Sequence, residues 1–306
     1  MKLHLNTAEI FVPDGAPIEE ALARTTHVAI GAHQDDIEIM AYHGILRCFQ
    51  RRDQWFCGVV MTNGSGSPRD ALYADYTDEE MQIIRRQEQK KAAIVGEYGA
   101  QILLDYPSSA VKDSSNKAPV EDLRAVLEKT RPRVVYTHNL ADKHDTHVST
   151  ALRVIEAIRS LPAAERPQQL YGCEVWRDLD WMVDEDKVAF DVSAHENLQR
   201  ALLGIFDSQV CGGKRYDLAT MGRRRANATY YASHEVDVAT GMIFAMDLTP
   251  LIEEPEREIR AYVQEFVDRF GREVTERLRK LERNRGTPTG SDFQIGKGGD
   301  DNYRDC

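Results

Sequence analysis

Short apolar runs alternate with stretches of helical period through the first half of this chain, and that alternation limits the fold more than any other feature. Residues 27–32, 56–62, 101–105 and 133–137 read as strands, apolar along nearly their whole length. Between and after them, residues 38–51, 78–96, 120–130 and 142–160 repeat their apolar positions at helical spacing. Strands apolar on both faces and separated by helices predict an α/β fold, Rossmann-like, with a mainly parallel sheet and helices on both faces. In such a sheet the ligand crevice opens at the carboxyl ends of the strands.

The second half is less regular. Residues 170–176, 188–192 and 242–248 read as strands, and 196–208 and 217–231 as helices. A long charged helix is expected within 251–285, with an apolar stripe at Ile259, Val263, Phe266, Phe270, Val274 and Leu278. Steps of three and four make this a packing face, either for its own domain or for a second subunit, so a homo-oligomer stays open. The expected division is therefore a domain over 1–250, the long C-terminal helix over 251–285, and a Gly- and Asp-rich disordered tail over 286–306.

A formal net charge of −11 argues against a nucleic-acid partner. The short basic runs, at Arg223, Arg224 and Arg225 and from Arg279 to Arg285, read as solvated helix faces. No apolar run is long enough for a membrane span, and the N-terminus lacks the apolar core of a secretory signal. Five cysteines without a Cys-x-x-Cys pair fit buried thiols in a reducing, cytoplasmic setting.

Chemistry is concentrated in two clusters. The first strand runs straight into Ala32-His33-Gln34-Asp35-Asp36-Ile37-Glu38, which puts a histidine and two carboxylates at the crevice. Adjacent side chains on a turn diverge, so one carboxylate can hold a metal while its neighbour faces a reacting water. The fourth strand is followed by His138-Asn139-Leu140-Ala141-Asp142-Lys143-His144-Asp145-Thr146-His147. His144 and His147 are spaced to share the apolar side of the next helix and point at the same crevice edge. A divalent metal shared with His33 and Asp36 gives these imidazoles a partner.

Ala-His-x-Asp-Asp-x-Glu followed by a distant Asp-x-His-x-x-His resembles the PIG-L/LmbE-like family of zinc-dependent N-acetylglucosamine deacetylases. Asn63-Gly64, the Arg85-x-x-Glu88 helix and Phe206-x-Ser208-Gln209 are similar to segments of that family, and the likeness spans roughly residues 25–250. The resemblance implies one Zn2+ per chain, or another divalent transition metal, held by His33, Asp36 and His147. It makes Asp35 the general base and His144 the group that polarises the carbonyl, with Arg85 a substrate contact. Asn63 and Gly64 are grouped with Arg85 as substrate-binding positions, in a loop that lets backbone approach the ligand. The implied substrate is a small N-acetylated sugar or glycoconjugate, with no nucleic acid and no membrane as partner.

The chain departs from the family at two positions, with Gln34 where Pro is usual and Thr146 where Asp is usual. The second removes a charge that would orient His144, a role left to Asp142 or Asp145. Trp176, Trp181 and Tyr171 are candidates either for stacking on a sugar ring or for packing. Two other functions stay open: a related small-molecule amidase, and a metal-stabilised sugar-binding module without turnover. The spare carboxylate of Asp35 argues against the second.

Overall fold

The computed structural model describes residues 1–283, and in it eight strands make one sheet. These are β1 (Glu9–Phe11), β2 (His27–Gly31), β3 (Phe56–Thr62), β4 (Ala100–Tyr106), β5 (Val134–His138), β6 (Gln169–Cys173), β7 (Lys187–Asp191) and β8 (Met242–Asp247). Their order across the sheet is β1-β4-β3-β2-β5-β6-β8-β7. The run from β4 to β6 is parallel, as the apolar strands predict. The flanks, β1 on β4 and β8 with β7 beyond β6, pair antiparallel.

Every residue of β2 is buried, because its alternate side chains feed two separate cores. Val28 and Ile30 join Val59 and Ile102 on one face, while Ala29 joins Val60 and Tyr136 on the other. From β2 the chain builds outward in one direction through β3 and β4, then returns to start β5 on the opposite side. The carboxyl ends of β2 and β5 therefore diverge at a switch point, and both sequence clusters emerge there.

Several elements differ from the sequence reading. The helix expected over 38–51 is two, Asp36–Met40 and Tyr42–Cys48, broken at Ala41. The long C-terminal element is also divided, into Thr249–Glu253 and Ile259–Arg283, with Pro255 in the break. Proline lacks the amide proton an interior helical turn needs. Arg224 is no solvated residue. It is 2% exposed and donates to the carbonyls of Glu38 and Ile39, tying the helix Tyr216–Tyr230 to the one after β2. Tyr262 and Phe266 enter the same core as Met246 and Leu248, so the root of the last helix belongs to the domain. The tail over 286–306 lies outside the described residues. No described helix is long and apolar enough to cross a membrane.

Gly44 sets how closely the helix Tyr42–Cys48 approaches the sheet. A Cβ there would stand 2.6 Å from the Tyr136 ring and 3.1 Å from Phe56. Gly44→Val adds bulk that the fully buried Tyr136 and Phe56 have no room to receive, and valine is a poor helix former. The variant should lose about 2 kcal/mol or more of unfolding free energy in urea titration. An unchanged midpoint would mean that the helix can move off the sheet freely.

Candidate metal and active site

A cleft of about 710 Å³ opens at the switch point, lined by residues of both clusters. His33, Asp35 and Asp36 enter it from the turn after β2, and His144 and Thr146 from the segment after β5. Gly64 and Arg85 close one side, and Trp176 and Tyr216 another.

The expected ligand atoms converge. His33 Nδ1 lies 3.3 Å from Asp36 Oδ2 and 3.2 Å from His147 Nε2, and His147 Nε2 lies 3.4 Å from Asp36 Oδ1. Ligand atoms held about 2.0–2.1 Å from a tetrahedral zinc stand about 3.3–3.4 Å apart, so the spacing fits. Asp36 meets the two histidines through different oxygens. Burial would push its carboxyl up, but His147 and His138 beside it hold it well below the usual range. Burial lowers His147 to about 4, against the pull of Asp36, leaving the neutral imidazole a metal requires.

Two overlapping groups could hold an ion: His33, His144 and His147, and Asp36, His138 and His147. His138 was not singled out in the sequence, although it closes β5 beside the second cluster. Its Nε2 accepts the Ala32 N–H at 2.9 Å, which occupies the lone pair a metal would need. It therefore braces the turn, with its ring stacked 4.0 Å from that of His147. His33, Asp36 and His147 keep donor atoms facing one another, with the His144 ring beside them.

Asp142 stands behind His147, with Oδ2 3.6 Å from Nδ1. The same carboxylate accepts the N–H of His144 at 2.9 Å and of Trp176 at 3.0 Å. Asp142 thus backs His147, while the His144 ring nitrogen Nδ1 has no hydrogen-bond partner. His144 is the residue before the helix Asp145–Arg159, in extended backbone, rather than on its apolar side. Its ring still reaches the group, 5.0 Å from His33 and 4.5 Å from His147. Burial and the nearby His33 hold it below the ordinary imidazole range.

Asp35 takes a left-handed backbone, φ 84°, that non-glycine residues adopt at a cost. The turn is held from outside. Arg85 donates to the Gln34 carbonyl and, at 3.3 Å, to Asp35 Oδ2. The Gln34 amide donates to the Thr62 carbonyl at 2.9 Å and so fastens a position where proline is usual. Burial pushes Asp35 up to about 7, although the Arg85 guanidinium opposes it. Glu38, the last carboxylate of the motif, is fully buried and accepts from Tyr98 and Gln89, so it packs rather than faces the cleft.

Arg85 is 1% exposed, yet it lines the cleft, and its Nε and Nη1 lack hydrogen-bond partners. Glu88, one turn on, accepts both the N–H and the hydroxyl of Ser208 at 2.7 Å, and Gln209 lines the cleft. The Arg-x-x-Glu and Phe-x-Ser-Gln segments therefore meet. Gly64, at φ 79°, lets its loop approach Gln34 and Arg85, since a Cβ would stand 2.7 Å from Gln34 Oε1 and 3.0 Å from Arg85 Cγ. Asn63 does not line the cleft; its Oδ1 accepts the Ser65 N–H at 3.2 Å and shapes the loop. Of the aromatic candidates only Trp176 faces the cleft, whereas Trp181 and Tyr171 pack against the cores.

A doubly wound sheet with a His/Asp cluster at its switch point defines a class of α/β protein, and sequence comparison narrows it. The PIG-L family model, described as GlcNAc-PI de-N-acetylase, matches residues 28–158. No curated protein matches the chain. Among solved structures, conserved protein TT1542 from Thermus thermophilus is similar at TM-score 0.55 and 16% identity, covering 76% of this chain and 99% of that one. The N,N'-diacetylchitobiose deacetylase from Pyrococcus horikoshii is similar at 0.52 and 17%, covering 72% and 83%. GalB, the 4-carboxy-2-hydroxymuconate hydratase from Pseudomonas putida, is similar at 0.53 and 15%, covering 73% and 96%. At such identities the likeness concerns the fold, and a hydratase shares it with a deacetylase.

The ligand set is testable without turnover. His147→Ala should abolish most zinc uptake in elemental analysis, and Asp142→Asn should weaken zinc affinity by roughly 10–100-fold. Full occupancy in His147→Ala would remove His147 from the set.

Proposed function

We propose that this protein is a zinc-dependent hydrolase that removes the acetyl group from the nitrogen of an amino sugar or glycoconjugate. The observation that carries this reading is Asp35, a buried carboxylate next to the converging ligands yet tied to Arg85 instead of joining them. A purely structural metal site needs no such group, which disfavours the binding-module reading. The shared fold of the hydratase keeps addition of water to a carbon–carbon double bond as the second reading. The family match favours amide hydrolysis.

His33, Asp36 and His147 would hold zinc. When bound, it supplies a Lewis acid that polarises the amide carbonyl and favours ionisation of water near neutral pH. Asp35 takes the proton of the attacking water and returns it to the departing amine, a task suited to a carboxyl poised near neutrality. Arg85 keeps Asp35 aimed into the cleft. His144 offers its ring to the oxygen that gains charge as the carbonyl carbon becomes tetrahedral. Trp176 gives the sugar an apolar surface at the cleft wall.

The cleft carries more positive charge than an acidic chain would suggest. Lys112, Lys214 and Arg223 line it, and none forms an ion pair among the described residues. Lys214 lies 5.0 Å from the centre of the Trp176 ring, and Arg223 donates to the carbonyl of Val175. Cations flanking the aromatic wall suit an acidic substituent on the sugar.

Acetate release from a panel of N-acetylated amino sugars checks the reaction, and Asp35→Asn should retain zinc while turnover falls roughly 100-fold or more. Loss of zinc in that variant would mean that Asp35 is a ligand. Lys214→Ala should raise KM for phosphorylated or carboxylated acetamido sugars and leave neutral ones unchanged. Equal effects on both would remove the acidic substituent from the proposal.

A further inference from the structure

The cleft has two unlike ends, and the strand order sets them on opposite sides of the His/Asp cluster. That cluster stands over the carboxyl ends of β2 and β5, which are neighbours in the sheet. Ser67 and Pro68 follow β3, and Ser108 and Lys112 follow β4, so one end runs over that flank and is polar. Val175 follows β6, and Ile243 opens β8, which runs antiparallel beside it, so the other end crosses the opposite flank. This second end is apolar. Ile39, Val175 and Ile243 are buried together in the second core and line the cleft there. Ile39 stands one turn beyond Asp36 on the helix Asp36–Met40, so the apolar end begins about 4.5 Å along the axis from the cluster. Ala219 and Thr220 meet it from the helix Tyr216–Tyr230.

The polar groups at this end are turned to the protein. Glu174 accepts from Asn227 and from the N–H groups of Phe244 and Leu179. Arg224 gives Nη1 to Gln199 and Nη2 to the Glu38 and Ile39 carbonyls, and only its buried Nε lacks a partner. The half-buried Arg223 donates to the Val175 carbonyl. A ligand therefore meets mainly hydrocarbon there. A planar amide sends its acyl and amine substituents to opposite sides of the C–N bond. A sugar with hydroxyls and an acidic substituent suits the polar end, which turns the acyl group toward the apolar one. An acetyl methyl would leave most of that end to water. We propose that the apolar end is an acyl pocket, and that the preferred substrate carries an aliphatic acyl group longer than acetyl. This inference rests on the reading of the protein as an amide hydrolase. Each added methylene leaves water for the surface of Ile39, Val175 and Ile243, and should raise kcat/KM about 3-fold until the pocket is full.

Acid release from glucosamine carrying N-acetyl, N-butyryl or N-hexanoyl groups reads the preference in zinc-loaded protein. From acetyl to butyryl, kcat/KM should rise about 10-fold, and hexanoyl should stay above acetyl. Ala219 is exposed, so Ala219→Phe narrows the pocket without entering the core. It should cut the hexanoyl-to-acetyl ratio roughly 10-fold while circular dichroism stays that of the wild type. Calorimetry with the free acids gives a second reading that needs no turnover. Hexanoate should bind the zinc-loaded protein roughly 10-fold or more tighter than acetate, and Ala219→Phe should shrink that difference. A kcat/KM that is flat or falls beyond acetyl overturns the acyl pocket and leaves the hydrolase reading standing, as do equal affinities for the two acids. No acid released from any member of the series overturns both.

Discussion

A carboxylate buried at the edge of a sheet must be neutralised, and the architecture around Asp36 follows from that requirement. Its oxygens accept the His33 N–H at 2.7 Å and face His147 at 3.4 Å, joining the turn after β2 to the helix after β5. Those segments are more than a hundred residues apart in sequence, and only the parallel pairing of β2 with β5 brings them to one edge. Deleting one partner of such a group would leave a charge desolvated without compensation, at a cost of several kcal/mol. A divalent cation among the same atoms meets the requirement more fully than imidazoles alone.

The neighbouring residue has the opposite constraint. Asp35 has to stay close to the cluster without joining it, and the left-handed turn achieves this by sending its side chain another way. The turn is strained, and bonds from Arg85 and Gln34 hold it. Arg85 is in turn fixed by Glu88, which the Ser208 segment caps. This chain of contacts runs from a helix in the first half to a loop in the second. It explains why the placement of Asp35 depends on residues far from it in sequence.

Much of this was legible in the sequence, for definite physical reasons. Strands buried on both faces are apolar throughout, so β2, β3, β4 and β5 stand out. A histidine and two carboxylates at a strand end are a local pattern, and His33, Asp36 and His147 do converge. What was not legible depends on pairing between distant backbones. β1 is three residues long and half-buried, too short to show a period. His138 is composed like a ligand, but its lone pair is taken by an amide of another strand's turn. Asn63 has the chemistry to bind substrate, yet it serves its own loop. Arg224 reads as one of three surface cations and lies in the interior, where carbonyls of another helix receive it. Asp142 was a candidate to orient His144 through its ring, and it instead backs His147 while holding His144 by its backbone.

The account rests on His33, Asp36 and His147 forming one metal centre beside, and not including, Asp35 and His138. Anomalous diffraction at the zinc edge from zinc-loaded crystals tests this most directly. The account predicts a single strong peak in the cleft, within about 2.0–2.2 Å of a nitrogen of His33, a nitrogen of His147 and an oxygen of Asp36. A peak bonded to His138 or Asp35, or no peak in the cleft at saturating zinc, would contradict it.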